Sequence, residues 1–125
     1  MASTVRHITV DCADPQLLAA FWSQALDGSV HPDSDDEDAL VEVADGPGVL
    51  FLQVPEGKTV KNRMHLDLQP NGVMTREGEV ARLCGLGATV RDDQRRSDGS
   101  GFVVLADPED NEFCVERSEA ERAGS

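Results

Sequence analysis

Arg6-His7-Ile8-Thr9-Val10-Asp11 and, further along, Met64-His65-Leu66-Asp67-Leu68-Gln69 are the stretches whose reading decides the fold. Each alternates with the two-residue period of a β-strand, and laid over each other they pair His7 with His65. Working outward, Leu26-Asp27-Gly28-Ser29-Val30 lies over Leu86-Gly87-Ala88-Thr89-Val90. VEVADGPGVLFL (Val41–Leu52) then lies over VVLADPEDNEFC (Val103–Cys114), which pairs Leu52 with Cys114. The offset drifts from 58 through 60 to 62, as short loop insertions produce. Three matches in the same order point to a duplicated module.

Each copy reads as β-α-β-β-β. In the first, about residues 5–54, Val5–Asp11 is the opening strand, and Asp14-Pro15 supplies a helix N-cap followed by proline at the first helical position. Leu18, Phe21, Trp22 and Ala25 recur at helical spacing, and Gly28 stops the helix. Strands over Ser29–His31, Ala39–Ala44 and Val49–Val54 complete the unit. The carboxylate-rich Asp33–Asp38 is a solvated loop, because its like charges repel and resist burial. In the second copy, about residues 63–116, Arg63–Gln69 opens as a strand and a helix runs from about Met74 to Leu86, with Val80, Leu83 and Cys84 on its apolar side. Strands over Ala88–Arg91, Gly101–Ala106 and Glu112–Glu116 follow. Pro55–Asn62 links the halves, and residues 117–125 read as a frayed polar tail.

Composition narrows the function classes. The 125 residues carry 11 Lys+Arg against 24 Asp+Glu, and a net charge of −13 argues against nucleic acid and anionic membranes as partners. No apolar run approaches the roughly 18 residues of a membrane span, and the start of the chain lacks the basic and apolar blocks of a signal peptide. A cytoplasmic location is the expectation. Three cysteines, Cys12, Cys84 and Cys114, are an odd number that argues for reduced thiols rather than a disulfide framework. A G-x-S-x-G elbow and a phosphate-binding loop are both missing, since no Lys-Ser/Thr follows Gly85-Leu86-Gly87.

Two β-α-β-β-β modules in one short chain resemble the vicinal oxygen chelate superfamily, which holds glyoxalase I, bleomycin-resistance proteins and extradiol dioxygenases. The resemblance spans Val5 to Glu116 and is strongest toward the glyoxalase-like branch, whose signatures are similar to Lys61-Asn62-Arg63-Met64-His65-Leu66-Asp67 and to Asp107–Cys114. Asp110 stands where that branch usually has glycine, and Asp tolerates the left-handed backbone the turn needs. The resemblance implies an α+β domain over residues 1–125, with two tandem modules forming a curved mixed sheet around a cavity and helices outside. It also implies a small-molecule ligand and a homodimer.

In metal-dependent relatives four strand positions face the cavity, and the resemblance carries them onto His7, Leu52, His65 and Cys114. A hard divalent ion would lack the carboxylates it prefers there. The expected centre is therefore degenerate and metal-free, in a pocket lined by His7, Leu52, Arg63, His65 and Cys114, and it is not that of a genuine glyoxalase I. The alternative is a divalent metal held by His7, His65 and Cys114, or by a neighbouring Glu112 or Glu116, serving a lyase, isomerase or dioxygenase. Acid/base candidates are His65, Asp67 and Glu112. A second alternative is sequestration of a cationic drug, as the bleomycin-resistance relatives imply. Trp22 and Phe21 read as core, and Lys58 and Lys61 as solvated linker residues.

Overall fold

The computed structural model of the chain describes residues 1–124 and divides into two compact units, Met1–Thr59 and Val60–Ser125. In the first unit, the Asp14 carboxylate accepts from the Leu17 N–H at 3.1 Å and Pro15 opens α1 (Pro15–Ala25), as the sequence pattern requires. Leu18, Phe21, Trp22 and Ala25 fall on the buried face, with the Phe21 and Trp22 rings edge-to-face at 5.2 Å. That face packs on β3 (Asp38–Glu42) and β4 (Gly48–Gln53), against buried Ala39, Val41, Val49 and Phe51. Burying each large side chain stabilises the unit by about 1.5–3 kcal/mol. Asp27 takes a left-handed φ of 51°, and Gly28 follows where a Cβ would stand 2.4 Å from the Glu42 carbonyl oxygen. This tight reversal delivers the short β2 (Ser29–Val30).

β1 (His7–Cys12) runs parallel to β4, and the sheet order is β1-β4-β3-β2. The second unit repeats the plan: β5 (Asp67–Leu68), α2 (Arg76–Leu86), β6 (Thr89–Asp93), β7 (Val103–Ala106) and β8 (Glu112–Val115), in the order β5-β8-β7-β6. The expected α+β class and repeated β-α-β-β-β order are therefore present. The two tandem modules each contribute one four-stranded mixed sheet, and neither sheet is a closed barrel. Each half satisfies its own ladder by pairing its first strand with its last.

The opening strand of the second half is shorter than Arg63–Gln69. Only Asp67 and Leu68 are strand, because the Asn62 N–H is taken by the Glu112 carboxylate at 2.8 Å and the backbone bends at Arg63 and Met64. The ladders also shift the repeat alignment. Leu52 stands beside Asp11, four residues beyond His7, whereas Cys114 stands beside Asp67, two residues beyond His65. His7 with His65 and Leu52 with Cys114 therefore cannot both be equivalent pairs. Matching Leu52 to Cys114 places Asp11 on Asp67 and Thr9 on His65. The slip is even, so the side chains keep their sheet face.

The turn before β8 is built as its sequence suggests. Asp110 has φ 68°, and the buried Asp107 carboxylate accepts from the N–H groups of Glu109 and Asn111. The polar tail is a correction: instead of fraying, it forms α3 (Glu119–Gly124). Ser118 Oγ accepts from the Glu121 N–H at 3.1 Å while Glu121 Oε1 accepts from the Ser118 N–H at 2.9 Å, a reciprocal capping box. Ser125, the last residue of that tail, lies outside the described residues. None of the three cysteines is joined in a disulfide, and no helix among the described residues is long and apolar enough to cross a membrane.

Candidate functional site

The parallel pairing of β5 with β8 sets Asp67 beside Cys114, and the strand period brings His65 to the same face. His65 Nδ1 lies 2.9 Å from Asp67 Oδ1 and 3.9 Å from Cys114 Sγ. An ionised carboxylate only accepts, so the His65 Nδ1 carries the proton and Nε2 is left as the basic nitrogen. The His65 and Asp67 side chains are 41 % and 47 % exposed, whereas Cys114 is buried, with only 7 % of its surface exposed. The imidazole and the carboxylate therefore face solvent, with the thiol buried beside them.

Burial pushes the Cys114 thiol up to about 11, and the negative charge of Asp67 and a hydrogen bond to its carboxylate push in the same direction. Lys61 pulls the other way and is outweighed. The thiol is thus protonated at neutral pH, unlike the lowered-pKa thiolates that act as nucleophiles. Asp67 thus acts on both neighbours, contacting the imidazole directly and raising the thiol through its charge.

These side chains line an open cleft of about 400 Å³ within the second unit. Lys61, Arg117 and Arg122 stand on its rim, and Gly101 and Phe102 of the β6–β7 hairpin loop close one side. That loop has little latitude. Gly101 has φ 94°, and a Cβ there would lie 2.0 Å from the Gln94 carbonyl oxygen. The Arg96 N–H donates to Ser100 O at 2.9 Å and the Gln94 N–H to Phe102 O at 2.9 Å. A neighbouring open cleft of about 450 Å³ shares Lys61 and Val104 and is lined also by Arg91, Asp110 and Glu112.

Of the residues singled out in the sequence, His65, Asp67 and Cys114 come together. Glu112 serves the neighbouring cleft and holds the Asn62 N–H. Arg63 is exposed at the bend before β5. In the first unit, His7 stands beside Gly48 in the ladder and Leu52 is 38 % exposed at the end of β4. Sequence reasoning missed Arg117, Arg122 and the 99–102 loop. The capping-box pattern Ser118-Glu119-Ala120-Glu121 was the available signal that the tail is structured.

His65, Asp67 and Cys114 offer donor atoms that all lie within 4.8 Å of one another. One imidazole, one carboxylate and one thiol suit a borderline ion such as zinc, with a fourth position open, better than a hard ion that prefers oxygen.

The profile of the family described as glyoxalase-like domain matches residues 7–116. The chain belongs to that family. Solved structures share its fold at low identity. The fosfomycin resistance protein FosX from Listeria monocytogenes, a mutant complexed with Mn(II) and 1S,2S-dihydroxypropylphosphonic acid, is 18 % identical with a TM-score of 0.71, covering 98 % of this chain and 95 % of its own. A glyoxalase/bleomycin resistance protein/dioxygenase family enzyme from Burkholderia phytofirmans PsJN is 16 % identical with a TM-score of 0.68, covering 90 % of this chain and 97 % of its own. Oxidase ChaP-H2 is 19 % identical with a TM-score of 0.66 and covers 95 % of each chain. No curated protein matches the chain.

Proposed function

We propose that this protein binds a small organic molecule in the cleft of its second unit, with His65 and Asp67 as the proton-handling pair and no hard divalent ion. Cys114 is then a neutral wall residue. The observation that carries the reading is the 2.9 Å contact from His65 Nδ1 to Asp67. It orients the imidazole with Nε2 as the base, the arrangement general acid/base chemistry needs. A metal at Nδ1 would have to displace the proton that Asp67 accepts, and the protonated thiol would have to ionise as well. Glyoxalase I chemistry lies outside the proposal, because Leu52 and Cys114 stand where the resemblance calls for metal-binding carboxylates. A homodimer in the cytoplasm completes the reading.

A second reading is a zinc site at His65, Asp67 and Cys114, favoured by the closeness of their donor atoms. Zinc bound there would supply a Lewis acid at an open coordination position. His65, Asp67 and Cys114 would hold it, and the cationic rim would orient the substrate. Metal analysis of chain purified without chelator separates the two readings. The first predicts far less than one equivalent of any transition metal. Near-stoichiometric zinc that His65→Ala removes contradicts it and supports the second.

A further inference from the structure

The tail that follows β8 is part of the cleft. Arg117 and Arg122 line it together with Lys61, in a chain where acidic residues outnumber basic ones by 24 to 11. Random placement in so acidic a chain would make a cleft acidic. Here three cations face two carboxylates, those of Asp67 and Glu116. Asp67 contacts His65, and Glu116 pairs with the Arg122 guanidinium at 2.6 Å, so the cations of the cleft exceed its carboxylates by one and Lys61 and Arg117 carry the excess.

The tail is also anchored rather than draped. Glu121 Oε1 accepts from the Arg76 N–H at 2.7 Å, at the start of α2, as well as from the Ser118 N–H. Burial works against the Glu121 charge, but the Ser118 and Arg76 N–H groups outweigh it and hold the carboxyl below its ordinary range. The Arg76 side chain is buried and donates from Nη1 to the Gly101 carbonyl oxygen at 2.9 Å. One chain of bonds thus runs from the tail through α2 to the loop that closes the cleft. The Arg117 guanidinium reaches over that loop, with Nη1 3.7 Å from where a Cβ on Gly99 would lie. Burying a charged Arg76 is costly unless it is fully bonded, so its placement fixes the loop and the tail together.

We propose that residues Arg117–Arg122 form a wall of the cleft and, with Lys61, make it a receptor for a small organic oxyanion, a carboxylate or a phosphate-type group. The inference rests on the cleft being the ligand site and adds the class of ligand. Guanidinium and ammonium groups supply charge-assisted hydrogen bonds to such oxygens, and Arg presents them in a planar fork. The sign is opposite to that of a cleft built to sequester a cationic drug.

The test uses the full chain labelled for amide NMR at constant ionic strength. Inorganic phosphate, malonate and tetramethylammonium are titrated separately, reading Gly101, Cys114 and Arg117. Saturable shifts with phosphate or malonate are expected, and the stronger of the two identifies the type of oxyanion. Lys61→Gln and Arg117→Gln should each weaken that binding about tenfold, the effect of losing one charge-assisted bond, with Lys61→Arg restoring most of it. Each variant's amide spectrum reports whether it is folded. Tetramethylammonium binding at these amides without the anions overturns the oxyanion assignment while leaving the cleft standing. Anion binding that survives both Gln substitutions unchanged overturns the role of the rim. If no probe moves a cleft amide, the cleft reading itself fails.

Discussion

The two units share an element order and a strand order, yet they use the plan differently. In the first, β1 and β4 run parallel over six paired residues and α1 buries Leu18, Phe21 and Trp22 against the sheet. In the second, β5 and β8 share two pairs, and the buried residues of α2 are Arg76, Glu79 and Leu83. The first unit places its apolar residues at every helical turn. The second keeps an apolar sheet face, with Val103, Leu105, Phe113 and Val115 buried, but its helix buries two charged residues where the first buries aromatic rings. After duplication, one copy can supply stability while the other carries chemistry, because polar groups that weaken a core are the ones a ligand site requires.

The largest expected effect breaks the first unit. Phe51 is fully buried beneath α1, and Phe51→Ala should cost about 3–5 kcal/mol in urea denaturation. A cost below about 1 kcal/mol would mean that Phe51 is not part of a close-packed core. The next effect strikes the second unit. Gly101→Ala should lose about 1–3 kcal/mol and the cleft with it, since the added methyl meets the Gln94 carbonyl at a φ of 94°. Wild-type oxyanion binding in that variant would show that the loop does not close the cleft. The smallest effect sharpens the likeness of the halves. Asp14→Ala and Thr75→Ala each remove an N-cap whose side chain accepts a backbone N–H, at 3.1 and 3.0 Å. Each should cost about 1 kcal/mol by thermal denaturation. Unequal losses would show that one helix depends on its cap more than its packing indicates.

Much of this was legible in the sequence because it is local. Asp14-Pro15 and the left-handed Asp110 each follow from the chemistry of one or two residues. The pairing of His65 with Asp67 follows from the strand period, and that of His65 with Cys114 from the family resemblance. What escaped depends on side chains reaching across the chain. Glu112 capturing the Asn62 N–H shortens β5, and no periodicity reveals that. Arg76 is a charged residue near a helix start, where the pattern assigns it to solvent. It is buried because Gly101, 25 residues on, offers a carbonyl. The two-residue shift between the ladders was hidden because an even slip leaves every side chain on its expected face.

The central claim is that Cys114 is a protonated wall of a cleft whose reactive pair is His65 and Asp67. Iodoacetamide labelling of Cys114, followed by peptide mass spectrometry across pH, tests it most directly. In the folded chain the thiol should titrate near the value of about 11 set by burial and the Asp67 charge, and Asp67→Asn should move it down. Because folding raises this pKa, the folded chain holds the proton longer than the unfolded one. Stability should therefore fall as pH rises from 9.0 toward about 11, and less steeply in Asp67→Asn. A Cys114 that labels at pH 7 as fast as an unstructured peptide thiol, with no response to Asp67→Asn, would contradict the account.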